Sequence, residues 1–348
     1  MIHPETMFGV VLTGHGGPDM LEFRNDLPFP QPATGDVVIK VAAAAVNNTD
    51  INTRLAWYSK DDGNAADAGW SGTALRFPLV QGADICGDII AVGKGVDAAR
   101  IGERVIVEPC LQKANGQTLQ TPWYIGSECN GGFAQFTKVA AQHAYAIKSG
   151  LSDIELASFP CSYSTAENLL TRSNVKAGDH VLVTGASGGV GSAAVQLLRA
   201  RGATVSAVTS PTKEAALYKL GVERVIHRGA SLITALGSDT VDVVIDLVAG
   251  KAWPELLEVL RPGGRYAVSG AIGGPIVELD IRTLYLKDLS FFGCTVLDPQ
   301  VFGNLVSLIE SGSIVPLVAK VFPLSEINRA QDCFGSKKHT GKIVLQIS

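Results

Sequence analysis

The sequence predicts an α/β protein of two domains, one of them built on a doubly wound parallel sheet. Three observations lead there. The chain has 348 residues, more than one ordinary core accommodates and enough for two domains of roughly 150 residues each. From about Leu151 onward, apolar strands alternate with helices, the pattern of a parallel sheet covered on both faces. Residues 7 to about 145 read instead as short β-branched runs broken by Gly and Pro.

The β-rich part contains Val37–Val41, Asp88–Val92 and Arg104–Val107. Its stretch Lys60–Arg76 is polar and rich in Gly, Ala and Asp, and reads either as an excursion over a site or as a surface loop. The alternating part places strands at His180–Thr184, Thr204–Val208, Val222–Ile226, Val241–Asp246 and Gly264–Val268. Helices fall over Val190–Arg201 and Thr212–Leu220. After about Thr295 come a helix at Gln300–Glu310, a Pro-flanked strand, a short helix and a closing strand at Ile343–Ile347.

Composition narrows the class. Charged residues make up 18% and hydrophobic residues 46%, a well-packed soluble profile. A formal charge of −4 argues against nucleic acid or an anionic membrane as partner, because both need clustered Lys and Arg. The longest apolar runs, such as Val37–Val46, fall far short of a membrane span. The first residues show no basic flank followed by an apolar stretch, and the six cysteines are scattered singly without a CxxC. The expectation is a cytoplasmic protein with reduced thiols.

The sharpest motif runs from Val183 through Thr184, Gly185, Ala186, Ser187, Gly188, Gly189 and Val190 to Gly191. It ends an apolar strand and opens a helix, the context in which a glycine pattern binds a dinucleotide pyrophosphate. Gly188 can let backbone approach the phosphates, and Gly191 can let the helix pack closely on the strand. The helix N-terminus offers unpaired N–H groups to the anion. Ala186, Ser187, Gly188, Gly189 and Val190 are therefore candidate cofactor contacts, with Ala186 standing where the fingerprint has its first Gly. An NAD site ends the next strand with Asp or Glu, which holds the ribose 2′-OH. Here Thr209 and Ser210 occupy that end, followed by Lys213, and Arg228 lies past the third strand. Hydroxyls and cations would accept a 2′-phosphate, which favours NADP, although either cation taken alone reads equally as a solvated surface charge.

Further stretches extend the pattern: Val46-Asn47-Asn48-Thr49-Asp50, Gln81-Gly82-Ala83-Asp84, Gly131–Phe136, Leu260–Arg265 and Gly341–Leu345. With the glycine turn they make the chain resemble the medium-chain dehydrogenase/reductase superfamily, on its zinc-free quinone and enone reductase side. The resemblance implies a Rossmann domain, residues 158–295, inserted into a GroES-like β-rich catalytic domain, residues 1–157 and 296–348. It implies a nicotinamide held in a cleft between them, and a homodimer formed through a Rossmann edge strand within Leu284–Thr295, an internal strand being the competing reading of that stretch. It also implies that Asn47 and Thr165 lie at the nicotinamide, and that Tyr58 faces the cleft as a proton donor or holds the substrate oxygen; a packed aromatic is the competing reading. Thr49 takes the position of a proton-relay hydroxyl. Asp246, Val248, Gly270, Ala271 and Ile272 follow strand ends, where ligands of parallel sheets bind. Trp57 is a candidate pocket wall or core residue, and Asp50 is expected to pair with Arg54 or Lys342.

In zinc-dependent relatives a Cys, a His and a third residue hold the metal. Those positions here carry Asn47, Ala83 and Cys161, and the structural-zinc stretch Glu108–Asn130 has only Cys110 and Cys129. No metal is expected. Without a Lewis acid, hydride transfer from NADPH to a conjugated acceptor is easier to support than reduction of an unactivated ketone. The expected substrate is a small molecule, a quinone or an enone. An enoyl-thioester reductase, an alcohol or aldehyde dehydrogenase-like enzyme, and a dinucleotide-binding protein with little catalysis all stay open.

Overall fold

The computed structural model describes residues 4–60 and 66–347. The chain divides into two compact units, Met1–Cys161 with Pro316–Ser348, and Ser162–Val315. The polar stretch Lys60–Arg76 includes residues 61–65, which lie outside the described residues.

The first unit is organised by one long strand, Asp36–Val46, whose run of Val, Ile and Ala is buried almost throughout. One of its edges pairs with Asp84–Val92. Its other edge pairs with Phe136–Ala140 near its start and with Lys342–Gln346 at its end. The register sets Ala45 opposite Asp84 and Val46 opposite Ile343. That register delivers Asp84 and Lys342 to the point where Asn47 leaves the strand and the helix Asn48–Arg54 begins. The stretch from Glu108 to Asn130 contains a hairpin, Cys110–Ala114 against Gln117–Tyr124. Its turn residues Asn115 and Gly116 have φ of +51° and +75°, the left-handed pair that a two-residue hairpin loop requires. Buried His143 pins the hairpin: Nε2 accepts the N–H groups of Gln112 and Lys113, each at 3.1 Å, while Nδ1 lies 2.7 Å from Glu108 Oε2.

The second unit is a six-stranded sheet in the order Arg224–His227, Thr204–Thr209, His180–Val183, Val241–Asp246, Leu260–Val268, Ser290–Gly293. Every neighbouring pair is parallel. The chain works outward from His180–Val183 in one direction and then returns to build the other half, so the topological switch lies between His180–Val183 and Val241–Asp246. Helices Gly189–Ala200, Glu214–Leu220, Leu232–Leu236 and Trp253–Val259 lie between the strands in sequence. One face is sealed by Leu182, Val244, Trp253, Leu257 and Tyr266. Ser290–Gly293 has a single neighbour and is an edge of the sheet.

The sequence expectation ends this domain at 295, whereas the unit runs to Val315. Side chains on two of its helices hold the extra segment. The Asn168 amide donates to Val296 O and accepts from Asp298 N, both at 3.1 Å. Gln196 Oε1 accepts Val315 N at 2.9 Å. Among the described residues no helix is long and apolar enough to cross a membrane.

Candidate functional site

In the second unit the glycine turn sits at the switch point. Gly185 takes φ of +59°, so the conformational freedom of the turn is needed one residue before Ala186. Ala186 is fully buried, and its N–H goes to Val208 O at 3.2 Å. A Cβ on Gly191 would lie 2.4 Å from Gly185 O, so close packing of helix on strand demands glycine there. Gly188 is different. Its φ of −76° suits any residue, and an added Cβ would meet only Gly185 O at 3.4 Å. No side chain caps the helix Gly189–Ala200 at Gly188; the Gly188 N–H is taken by Gly185 O at 3.1 Å, Gly188 itself is exposed, and Gly189 and Val190 are half-buried. The protein itself does not require glycine at 188; a ligand pressed against the backbone would.

The neighbouring strand ends gather round this turn. Thr209 Oγ1 donates to Ser187 Oγ at 3.0 Å, tying the second strand to the turn. Ser210 Oγ lies 3.3 Å from Thr212 Oγ1. Burial, and then the neighbouring Arg228, lower the pKa of the Lys213 ammonium. Asp246 is fully buried and spends its carboxylate inside the protein. Its oxygens accept from Thr184 Oγ1 at 2.5 Å, Tyr266 OH at 2.7 Å, and the N–H groups of Val248 and Ala249. Asp246 thus shapes the turn that carries Val248. Gly270 packs against that turn, where a Cβ would meet Leu247 O at 2.8 Å. Ala271 is half-buried, Ile272 is 64% exposed, and Thr165 is half-buried on the helix Pro160–Arg172.

In the first unit, half-buried Tyr58 donates to Thr49 Oγ1 at 3.0 Å. Burial pushes the Tyr58 phenol up to about 12, against the opposing pull of its bonds to Thr49 and Asn52. Trp57 is 45% exposed and stands edge-on to Tyr58, so it is not core. Asn47 is buried, and its amide is fully used. Nδ2 donates to Asp84 Oδ2 at 2.8 Å and to Ala45 O at 3.2 Å, while Oδ1 accepts from Lys342 Nζ at 2.5 Å. Asp84 also accepts Lys342 Nζ at 2.7 Å and Cys161 N at 2.6 Å. The expected partner of Asp50 is therefore corrected. Lys342 pairs with Asp84, Arg54 reaches Gly16 O and Gln331, and Asp50 accepts Asn47 N at 2.7 Å. Burial drives Asp50 up to about 7, with help from the charge on Asp84. Burial, and then Asp84, likewise raise the Cys161 thiol to about 12; its sulfur lies 3.1 Å from Tyr124 OH.

Residues 33–149 match the alcohol dehydrogenase GroES-like domain family, and residues 189–311 match the zinc-binding dehydrogenase family. Acryloyl-coenzyme A reductase from Metallosphaera sedula is 30% identical over 97% of this chain and 99% of its own. Quinone oxidoreductase from Rattus norvegicus is 31% identical over 95% of this chain and 94% of its own. The solved structure of a candidate alcohol dehydrogenase from Sinorhizobium meliloti 1021 is 46% identical, with a TM-score of 0.92, over 99% of this chain and 97% of that one. The chain belongs to the medium-chain dehydrogenase/reductase superfamily.

As a member of that superfamily it combines the GroES-like and Rossmann folds, and its full-length relatives named above are oxidoreductases. Sequence reasoning missed three groups in this superfamily member. Gly185 was passed over because the fingerprint was counted from Ala186. Lys342 is expected only as one of two possible partners of Asp50, whereas it pairs with Asp84. His143 carried no signal, since its partners Glu108 and Gln112 are more than thirty residues away.

Proposed function

We propose that this protein is an NADPH-dependent, zinc-independent oxidoreductase that reduces a conjugated carbonyl acceptor, a quinone or an enone. The observation that carries the reading is the hydroxyl pair Tyr58–Thr49 in the first unit. A phenol with its pKa near 12 stays protonated, and because it donates to Thr49 Oγ1, Thr49 keeps its own hydrogen for another acceptor. When bound, NADPH supplies the hydride. Thr49 then donates its proton to the substrate oxygen on which charge develops, Tyr58 passes its own to Thr49, and the phenolate so formed takes a proton from water. Both N–H groups of the Asn47 amide are spent inside the protein, so it is not the donor to the substrate oxygen.

Several features support NADP as cofactor. No carboxylate ends the strand Thr204–Thr209, and Ser210, Lys213 and Arg228 follow it. Two cations that crowd each other gain from a dianion placed between them. Gly188 and the uncapped helix start suit the pyrophosphate. The metal positions do not suit zinc: they hold an amide already bound on all sides, a methyl group, and a thiol whose pKa is raised to about 12. Among the described residues no three His, Cys, Asp or Glu side chains group as metal ligands. We also propose a homodimer through the edge strand Ser290–Gly293, where Phe291 is 38% exposed.

The test is titration with NADPH followed by turnover on enones, quinones, enoyl thioesters and aldehydes, with metal analysis of the purified protein. Turnover of enones or quinones without stoichiometric zinc is the expected result. Binding with no turnover on any acceptor would overturn the enzyme reading. A second reading, an enoyl-thioester reductase, is favoured by the similarity to acryloyl-coenzyme A reductase, and preference for the thioester over the matching enone would establish it.

A further inference from the structure

Strand register brings Asn47, Asp84 and Lys342 together at the end of Asp36–Val46. Asp84 has no exposed surface, Lys342 is 2% exposed and Asn47 is 5% exposed. A buried ion pair is tolerated only when its remaining hydrogen-bonding capacity is filled. Here the Asp84 carboxylate takes Lys342, the Asn47 amide and the Cys161 N–H, and the ammonium takes Asp84 and Asn47 Oδ1. The two ends of a carboxamide differ only in donor and acceptor. What fixes this one is therefore the cation on its oxygen side and the anion on its nitrogen side.

Asn47 directly precedes the helix Asn48–Arg54, whose second residue is Thr49. Its own N–H is taken by Asp50 at 2.7 Å, so its backbone and its side chain are both anchored. Asp84 meanwhile takes the N–H of Cys161, the second residue of the helix Pro160–Arg172. One buried carboxylate thus ties down two helix starts, and one ammonium holds it charged and oriented.

We infer that Lys342 is a positioning residue for the reaction, setting the Thr49 hydroxyl through the Asn47 amide and, through Asp84, the start of the helix Pro160–Arg172. This rests on the functional reading above. Proton donation is sensitive to shifts of a fraction of an ångström, so loosening the helix start costs rate rather than cofactor affinity.

The experiment compares Lys342→Met, Lys342→Arg and the double variant Lys342→Met with Asp84→Asn. Lys342→Met lowers kcat at least about tenfold and leaves KM for NADPH within about twofold, and Lys342→Arg recovers most of the loss. A Lys342→Met kcat close to wild type, or a Lys342→Arg no better than Lys342→Met, would overturn the inference. The double variant removes both charges of the pair, so it tests the same point should the single variant not fold. Wild-type kcat in it is equally fatal. If the wild type itself turns over no acceptor, the functional reading fails and hydrogen exchange decides the positioning role. The amides of Asn47 and Cys161 then exchange about tenfold faster in Lys342→Met while Val181 is unchanged, and unaltered exchange at both sinks it.

Discussion

Tyr58 donates its phenolic hydrogen to Thr49 Oγ1 across 3.0 Å, which makes the two hydroxyls one unit rather than two independent candidates. Tyr58→Phe removes the replenishing donor and keeps the ring that packs edge-on against Trp57. We expect kcat to fall about a hundredfold, within the usual range for a positioned acid, with KM for NADPH little changed. Thr49→Val should cost a similar factor. Because the hydroxyls act in series, the double variant should be no slower than the worse single variant; additive losses would show that they act separately. Single-turnover oxidation of bound NADPH measures all three.

Lys213 and Arg228 make the second prediction. Hydrogen bonds to charged groups contribute about 1.5–3 kcal/mol, roughly ten- to a hundredfold in affinity. Lys213→Ala should weaken NADPH by that factor and NADH by less than about twofold. Equal losses would remove the 2′-phosphate argument, because a cation on the shared pyrophosphate affects both cofactors alike.

The glycine turn separates folding from binding at residues only three apart. Gly191→Ala sets a methyl 2.4 Å from Gly185 O and 2.6 Å from the Cα of Ala186, both backbone atoms. Overpacking of that kind should cost about 1–3 kcal/mol of stability in the absence of cofactor. Gly188→Ala finds no such obstacle, so its melting temperature without cofactor should stay close to wild type while NADPH affinity drops about tenfold or more. Stability loss in Gly188→Ala without loss of affinity would mean that the space beside it is not a phosphate seat.

Local constraint explains how much of this was legible. Gly191 and the strand-to-helix turn could be read because a backbone requirement leaves its mark on neighbouring residues. The departure at Ala186 looked like a weakness of the fingerprint, yet the positive φ had moved to Gly185. The Asn47–Asp84–Lys342 clamp could not be read, since Lys342 lies 295 residues from Asn47 and meets it only through sheet register. Asp246 shows the same limit from the other side. Its position at a strand end suggested a ligand contact, but whether a carboxylate faces outward or knits its own turn depends on Thr184 and Tyr266, far off in sequence. The end of the inserted unit at Val315 was hidden for the same reason, because amides on Asn168 and Gln196 hold it.

Asp50 gives a pH prediction with a definite sign. Burial raises its folded-state value from 3.8 to about 7. Below about pH 4 it is protonated in both folded and unfolded chains and has no effect on stability. Between about pH 4 and 7 the unfolded chain releases the proton more readily, so this residue's contribution to stability falls as pH rises, and it levels off above 7. The full loss is on the order of 4 kcal/mol at most. Asp50→Asn keeps an acceptor for Asn47 N and removes the titration. The difference in melting temperature between variant and wild type should therefore grow in favour of the variant from pH 4 to 7. A difference that stays flat would place the Asp50 proton elsewhere.

His143 provides the last test, far from the hydroxyl pair. Its Nε2 faces the N–H groups of Gln112 and Lys113, so that nitrogen carries no hydrogen and Nδ1 donates to Glu108. The ring thus satisfies a buried carboxylate and two backbone donors at once, and it holds the hairpin Cys110–Ala114 and Gln117–Tyr124 against the unit. His143→Ala removes the acceptor of two part-buried backbone N–H groups and the donor to a buried carboxylate, at about 1–3 kcal/mol for each group left unsatisfied. We expect a loss of roughly 3 kcal/mol or more, with the hairpin becoming the first site of proteolytic cleavage. Glu108→Gln in the same background should recover part of the stability, because a neutral amide is cheaper to leave unpaired than a carboxylate. If His143→Ala unfolds at the wild-type temperature, the imidazole does not hold the hairpin, and the Asn115–Gly116 turn with its flanking strands must suffice.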